Sequence, residues 1–206
     1  MKISFRLFAL LALFGHATLL AATKPAPDYF PLREGVEWTM DIEVTYPADQ
    51  RLRGVGRRVT GPAEVRDGKT YFRSRTWEEF EGQPRRERSK LMRKDASGLH
   101  SIDLSAETPK EEMEVALPLK VGSRWQTKQL HGMVLNHEVM AQETVVIGRK
   151  TYANCFHIRT TSAAGDYTEE FWEAPDVGLV KSLVTMTGAK VALTLREFKS
   201  GKTIAK

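Results

Sequence analysis

The chain is poor in the residues that cross-link or catalyse. It has one cysteine, Cys155, so no internal disulfide can form and the fold must stand on packing. Cys155 sits in the apolar run Cys155-Phe156-His157-Ile158, with no basic cluster beside it. That setting predicts a buried, inert thiol. After residue 22 no apolar run approaches the roughly 20 residues of a membrane-spanning helix. No dozen-residue stretch carries the three-and-four apolar spacing of an amphipathic helix, which argues against helical folds. There is no G-x-S-x-G elbow, no phosphate-binding loop and no dinucleotide fingerprint. His100, His131, His137 and His157 fall in no metal-ligand spacing, and no metal or cofactor is expected.

What is present begins with a leader. Lys2 and Arg6 precede an apolar run from Leu7 to Phe14, and Ala21-Ala22 supplies small residues for cleavage. Residues 1–22 therefore read as a secretory signal peptide. The protein is expected to be periplasmic or secreted, with no transmembrane span after cleavage. No cysteine near the cleavage point could accept a lipid. Residues 23–206 are long enough for one domain with its own core.

That domain reads as all-β. Short runs rich in Val, Thr, Tyr, Phe and Trp are cut by Gly, Pro and Asp, the strand-and-turn pattern. From Asp41 to Lys199 the pattern predicts about ten strands. Asp67-Gly68 is the clearest hairpin turn, since both residues accept positive φ. Gly82-Gln83-Pro84, Ser97-Gly98 and Thr187-Gly188 mark other reversals.

One phrase occurs twice. Residues 30–38 read FPLREGVEW, and residues 117–125 read LPLKVGSRW. Pro31, Gly35 and Trp38 thus match Pro118, Gly122 and Trp125. Gly68-Lys69-Thr70-Tyr71 echoes Arg149-Lys150-Thr151-Tyr152, and Ser97-Gly98-Leu99 echoes Val177-Gly178-Leu179. The order and near-constant offset predict two similar meander repeats, about 28–115 and 116–206. Each opens on a Pro-Leu segment, a glycine turn and a tryptophan plug. The expected form is a curved antiparallel sheet, a half-barrel or flattened barrel.

The opening Asp28-Tyr29-Phe30-Pro31-Leu32, with Gly35 and Trp38, resembles the start of many uncharacterised bacterial secreted proteins. The run Phe171-Trp172-Glu173-Ala174-Pro175-Asp176-Val177-Gly178-Leu179-Val180-Lys181 resembles their ending, with Pro175 and Gly178 as its turn residues. These are antiparallel β proteins without an agreed function. Some are similar in plan to periplasmic lipoprotein carriers, whose curved sheet wraps an apolar cavity. The resemblance implies an exported β protein with a concave face.

Charge adds the functional hint. Residues 51–94 hold 14 Lys and Arg against 6 Asp and Glu, whereas residues 100–206 hold 13 of each. Arg51, Arg53, Arg57 and Arg58 lie on one run. Arg73 and Arg75 alternate on a strand, as do Arg86 and Arg88, so the four are expected to line one sheet face. A face of like charge suggests either an anionic partner or intervening acids that pair with it on a solvated face, for which Glu78, Glu79, Glu81 and Glu87 are the candidates. The carboxylates at 111, 112, 114, 166, 169, 170 and 173 are expected on solvated strand faces. The leading expectation is a non-enzymatic envelope protein that binds an apolar or amphiphilic, lipid-like ligand. Arg73, Arg75, Arg86 and Arg88 would meet an anionic headgroup or partner. A scaffold docking a protein partner through its basic face is the alternative, a hydrolase of unknown type the third. Nucleic acid is not an expected partner after export.

Overall fold

A computed structural model describes residues 26–128 and 133–201; the signal-peptide reading of residues 1–22, and His131, lie outside them. Twelve strands form one antiparallel sheet. In chain order they are β1 (Val36–Thr45), β2 (Arg51–Arg66), β3 (Lys69–Phe80), β4 (Arg86–Lys94), β5 (Gly98–Asp103), β6 (Glu111–Ala116), β7 (Arg124–Lys128), β8 (Val134–Ile147), β9 (Lys150–Ser162), β10 (Tyr167–Ala174), β11 (Gly178–Met186) and β12 (Ala189–Ser200). The sheet order is β6-β5-β4-β3-β2-β1-β12-β11-β10-β9-β8-β7. The chain therefore runs through two meanders of six consecutive strands, joined where β1 pairs with β12. The sheet curls into a nearly closed barrel. At the seam, Trp125 of β7 donates its indole N–H to the Glu114 carbonyl of β6 (3.2 Å). The count exceeds the expected ten because β6 and β7 are short polar strands that periodicity alone does not mark.

The turns obey the local rules. Asp67 (φ 50°) and Gly68 (φ 72°) both adopt positive φ and join Arg66 to its cross-strand partner Lys69, as a tight hairpin requires. The sequence echoes fall at turns of the same rank in the two meanders, β2–β3 with β8–β9 and β4–β5 with β10–β11. Gly35 and Gly122 both have positive φ. Each donates its N–H at 2.8 Å to a strand of its own meander, to Thr60 O and Val139 O respectively.

Besides a small buried cluster of Tyr71, Leu91 and Ile102, two larger apolar clusters pack the barrel. One gathers Phe30, Met92, Leu99, Val115, Leu119, Trp125, Val139, Phe156 and Ile158. Phe30 and Leu119 come from the Pro-Leu segments that precede β1 and β7, so both segments pack into the core. The other cluster gathers Val36, Trp38, Met40, Val145, Cys155, Trp172, Ala174, Val180 and Leu195. Cys155 is fully buried; its thiol donates to Tyr152 O (3.3 Å) and burial raises its pKa, so it stays protonated and inert.

The opening and closing words of the chain touch. Asp28 and Asp176 exchange two hydrogen bonds, from Asp176 N–H to Asp28 O (2.7 Å) and from Asp28 N–H to Asp176 Oδ1 (3.0 Å). The Trp38 indole N–H donates to Val177 O (2.7 Å). Gly178 (φ 85°) lies under that ring, where a Cβ would stand 3.5 Å from Trp38 Nε1 and 3.4 Å from Pro31 Cδ. Pro31, Trp38 and Gly178 therefore form one joint between the opening segment and the β10–β11 turn.

Candidate binding cavity

A cavity of about 690 Å³, open at one mouth, lies inside the barrel, within the range of small-ligand sites. Its wall follows from strand parity. On β1, Val36, Trp38, Met40, Ile42 and Val44 point inward and are buried. Register carries the inward face across the sheet: Trp38 lies opposite Arg58, Arg58 opposite Thr76, and Thr76 opposite Arg88. Between Gly54 and Thr60 the inward positions of β2 are Gly54, Gly56, Arg58 and Thr60. A Cβ at Gly54 would stand 2.5 Å from the Phe80 ring, and one at Gly56 would stand 3.1 Å from Ile42 Cδ1. Glycine thus lets neighbouring strands fill that part of the barrel and leaves Arg58 as the long side chain reaching inward.

The same register divides the four arginines singled out in the sequence. Arg75 lies opposite Ser89 and Arg73 opposite Leu91, whereas Arg86 lies opposite Glu78 and Arg88 opposite Thr76. Arg86 and Arg88 line the cavity. Arg73 and Arg75 are on the outer face, where Arg73 meets Glu64 (3.3 Å) and Arg75 meets Glu87 (2.7 Å). The single basic face expected from the sequence is therefore two faces. The outer one is largely neutralised by its own carboxylates, and such exposed pairs contribute little to stability.

Inside, several polar groups satisfy one another. Lys90 Nζ and the Ser101 hydroxyl both donate to Glu114 Oε1 (2.6 and 2.7 Å). Tyr167 and Ser182 donate to the two oxygens of Glu169 (2.9 and 2.8 Å), and burial holds the Tyr167 phenol above its ordinary pKa. His137 has one ring nitrogen on Thr127 Oγ1 and the other on Thr160 Oγ1, both at 2.8 Å. It stacks on Trp125 with centroids 4.9 Å apart. Burial lowers its pKa to about 4, so the imidazole is neutral at pH 7.

Among the described residues three cavity arginines, Arg58, Arg86 and Arg88, have no carboxylate within ion-pair distance. Arg86 and Arg88 are exposed at the mouth, while Arg58 is half-buried. The Arg58 guanidinium lies over the Trp38 ring, 3.8 Å from its centroid. Desolvation lowers its pKa, and the charges of Glu173 and Glu114 partly offset this.

Glu173 corrects the expectation that these carboxylates sit on solvated faces. It is 7% exposed and lines the cavity. Its Oε2 is buried without a hydrogen-bond partner. Burial pushes its pKa up to about 8, against the pull of Arg58 and with a smaller push from Glu169. The sequence held a signal for it: Tyr167, Glu169, Phe171 and Glu173 alternate through an aromatic strand. A register shift between Trp172 and Glu173 then alters the pairing at the last step. Among the described residues, no three His, Cys, Asp or Glu side chains converge to hold a metal, and no helix is long and apolar enough to cross a membrane.

No protein-family model and no curated protein matches the sequence. Two solved structures resemble the fold. One is a protein from Bacteroides fragilis, described as exported and of YmcC-like fold, with a TM-score of 0.55, 11% identity, and coverage of 84% of this chain and 99% of its own. The other is described as a lipoprotein from Parabacteroides distasonis, with a TM-score of 0.47, 12% identity, and coverage of 85% and 100%. At such identity the likeness to the first is one of fold alone, and this barrel shares the YmcC-like architecture.

Proposed function

We propose that this protein is an exported, non-enzymatic binding protein of the bacterial envelope that takes an amphiphilic ligand with an anionic group into its barrel. The observation that carries the reading is the cavity wall, where Arg58, Arg86 and Arg88 face a space of about 690 Å³ without carboxylate partners. An unpaired cation facing an enclosed space recognises an anion at lower desolvation cost than a paired one. Phe30, Leu32, Phe171 and Leu179 on the same wall would pack the apolar part of the ligand. The leader-like residues 1–22 and the exported description of the Bacteroides fragilis protein support the location. We also read the two meanders as copies of one unit, supported by the matched opening words and the equal rank of the echoed turns.

Native mass spectrometry of protein purified from its export compartment tests the reading. A discrete lipid-like or amphiphilic mass on the protein is the expected result. A bare mass that stays bare after incubation with envelope lipids would overturn it.

The hydrolase reading retains one observation, the raised carboxyl of Glu173. A general acid also needs a nucleophile or an activated water held within reach. Among the described residues Glu173 makes no side-chain hydrogen bond to a serine, histidine or second carboxyl, which leaves binding as the better account.

A further inference from the structure

The inner end of the cavity holds a guanidinium and a carboxyl that do not meet. Arg58 and Glu173 face the same space and feel each other's charge, yet they are not within ion-pair distance. Each is held by its strand. Arg58 is flattened on Trp38, whose indole is itself tied to Val177 O. Glu173 is the penultimate residue of β10, directly after a register shift. One of its carboxyl oxygens has no partner, although a buried polar atom normally has one.

We propose that Arg58 and Glu173 together form the recognition site for a single oxyanion group, a carboxylate or a phosphate, bound deep in the barrel. The guanidinium supplies charge and two donors, and the protonated Glu173 carboxyl supplies a third. The proposal rests on the reading of the cavity as the binding site and adds where the anion lies: at Arg58, beyond the rim arginines Arg86 and Arg88. Groups facing Glu173 are Arg58 from β2, Glu169 from β10, Glu114 from β6 by way of Arg58, and Cys155 from β9. Glu169 and Glu114 are hydrogen-bonded carboxylates, and the Cys155 thiol is raised by burial. Glu173 is thus the member of this group whose proton is lost near pH 8. Ionised, it would repel the bound oxyanion.

Calorimetric titration of the full mature protein with decanoate, acetate and decanol separates the outcomes. Decanoate is fully charged from pH 7 to 9, so a change in affinity over that range reports the protein. Arg58→Met keeps an apolar stem over Trp38 and removes the charge. It is expected to weaken decanoate about 30-fold, the scale of a lost charged hydrogen-bond pair. Wild-type affinity should fall about tenfold between pH 7 and pH 9, as the competent protonated fraction falls. In Glu173→Gln, whose amide donates at every pH, affinity should stay flat, and this variant carries the test should Arg58→Met fold poorly. Acetate bound with the same Arg58 dependence would support the site with a free small anion as its source. Decanoate bound with acetate silent would support it with the headgroup of an amphiphile. Decanoate affinity unchanged in Arg58→Met but lost in Arg86→Gln/Arg88→Gln would overturn the deep site and leave the cavity reading intact. Decanol binding as tightly as decanoate, unaffected by either variant, would overturn it likewise. No binding of any of the three by wild type would overturn both.

Discussion

Trp38 and Trp125 occupy the same place in their two meanders and carry different chemistry. Each follows a positive-φ glycine by three residues, and each indole N–H donates to a backbone carbonyl, Val177 O or Glu114 O. Each ring supports the residue directly across from it on the next strand, Arg58 for Trp38 and His137 for Trp125. His137 is neutral and has both nitrogens on threonine hydroxyls. Arg58 is charged and, among the described residues, has no ion-pair partner. One architectural position thus produces a satisfied polar core in one half and an unsatisfied cation in the other. The shared part of the arrangement reads as structural, and the difference between the halves marks the site.

Removing the rings should give the largest effects. Trp38→Ala is expected to cost about 4 kcal/mol, typical of a buried aromatic lost from a core, because Trp38 is 2% exposed and paired on both sides. Trp125→Ala should cost less, since β7 has a backbone ladder on one side only, with β8. Urea midpoints at constant slope measure both, and equal losses would erase the asymmetry. His137→Ala leaves two threonine hydroxyls without their partner and should cost about 2 kcal/mol, with decanoate affinity changed by less than about threefold. A large loss of affinity there would extend the site to His137 and Trp125.

His137 and Glu173 should respond to pH with opposite signs. The folded pKa of His137 is depressed to about 4, so the unfolded chain takes up its proton first. Stability should fall as pH drops from about 6.5, the unfolded histidine value, toward 4, and His137→Gln should flatten that limb. The folded pKa of Glu173 is raised to about 8. Its contribution is fully present below the ordinary carboxylate pKa of about 4.3 and is lost as pH rises through 8. Glu173→Gln should remove that alkaline loss. Thermal melts across pH 4 to 9 would show both, and parallel profiles for wild type and Glu173→Gln would mean that Glu173 is ionised in the fold. Smallest of all, Arg75→Gln should change stability by less than about 1 kcal/mol, as for other exposed ion pairs. A larger loss would mean that the outer face carries more than paired surface charge.

The legible part of the protein was local. Asp67-Gly68 specified its hairpin, the β-branched and aromatic runs specified strands, and the setting of Cys155 specified a buried thiol, because each rests on backbone preference or burial within a few residues. The site was only partly legible. Alternation places Arg73 with Arg75, and Arg86 with Arg88, but it does not say which way either pair points. That depends on how β3 and β4 register across residues 81–85, and a one-residue slip exchanges the faces. Glu173 lies near Asp166, Glu169 and Glu170 in a stretch whose charge count resembles a solvated face. Alternation with Glu169 and Phe171 turns it to the inner face, where curvature of the sheet buries it. Sequence by itself determined that the chain forms antiparallel strands with tight turns and one unpaired thiol, since those follow from side-chain shape and allowed φ. Tertiary structure alone decided that Arg58 and Glu173 share an enclosed space without touching. Their positions are 115 residues apart, and only closure of the barrel sets the distance between them.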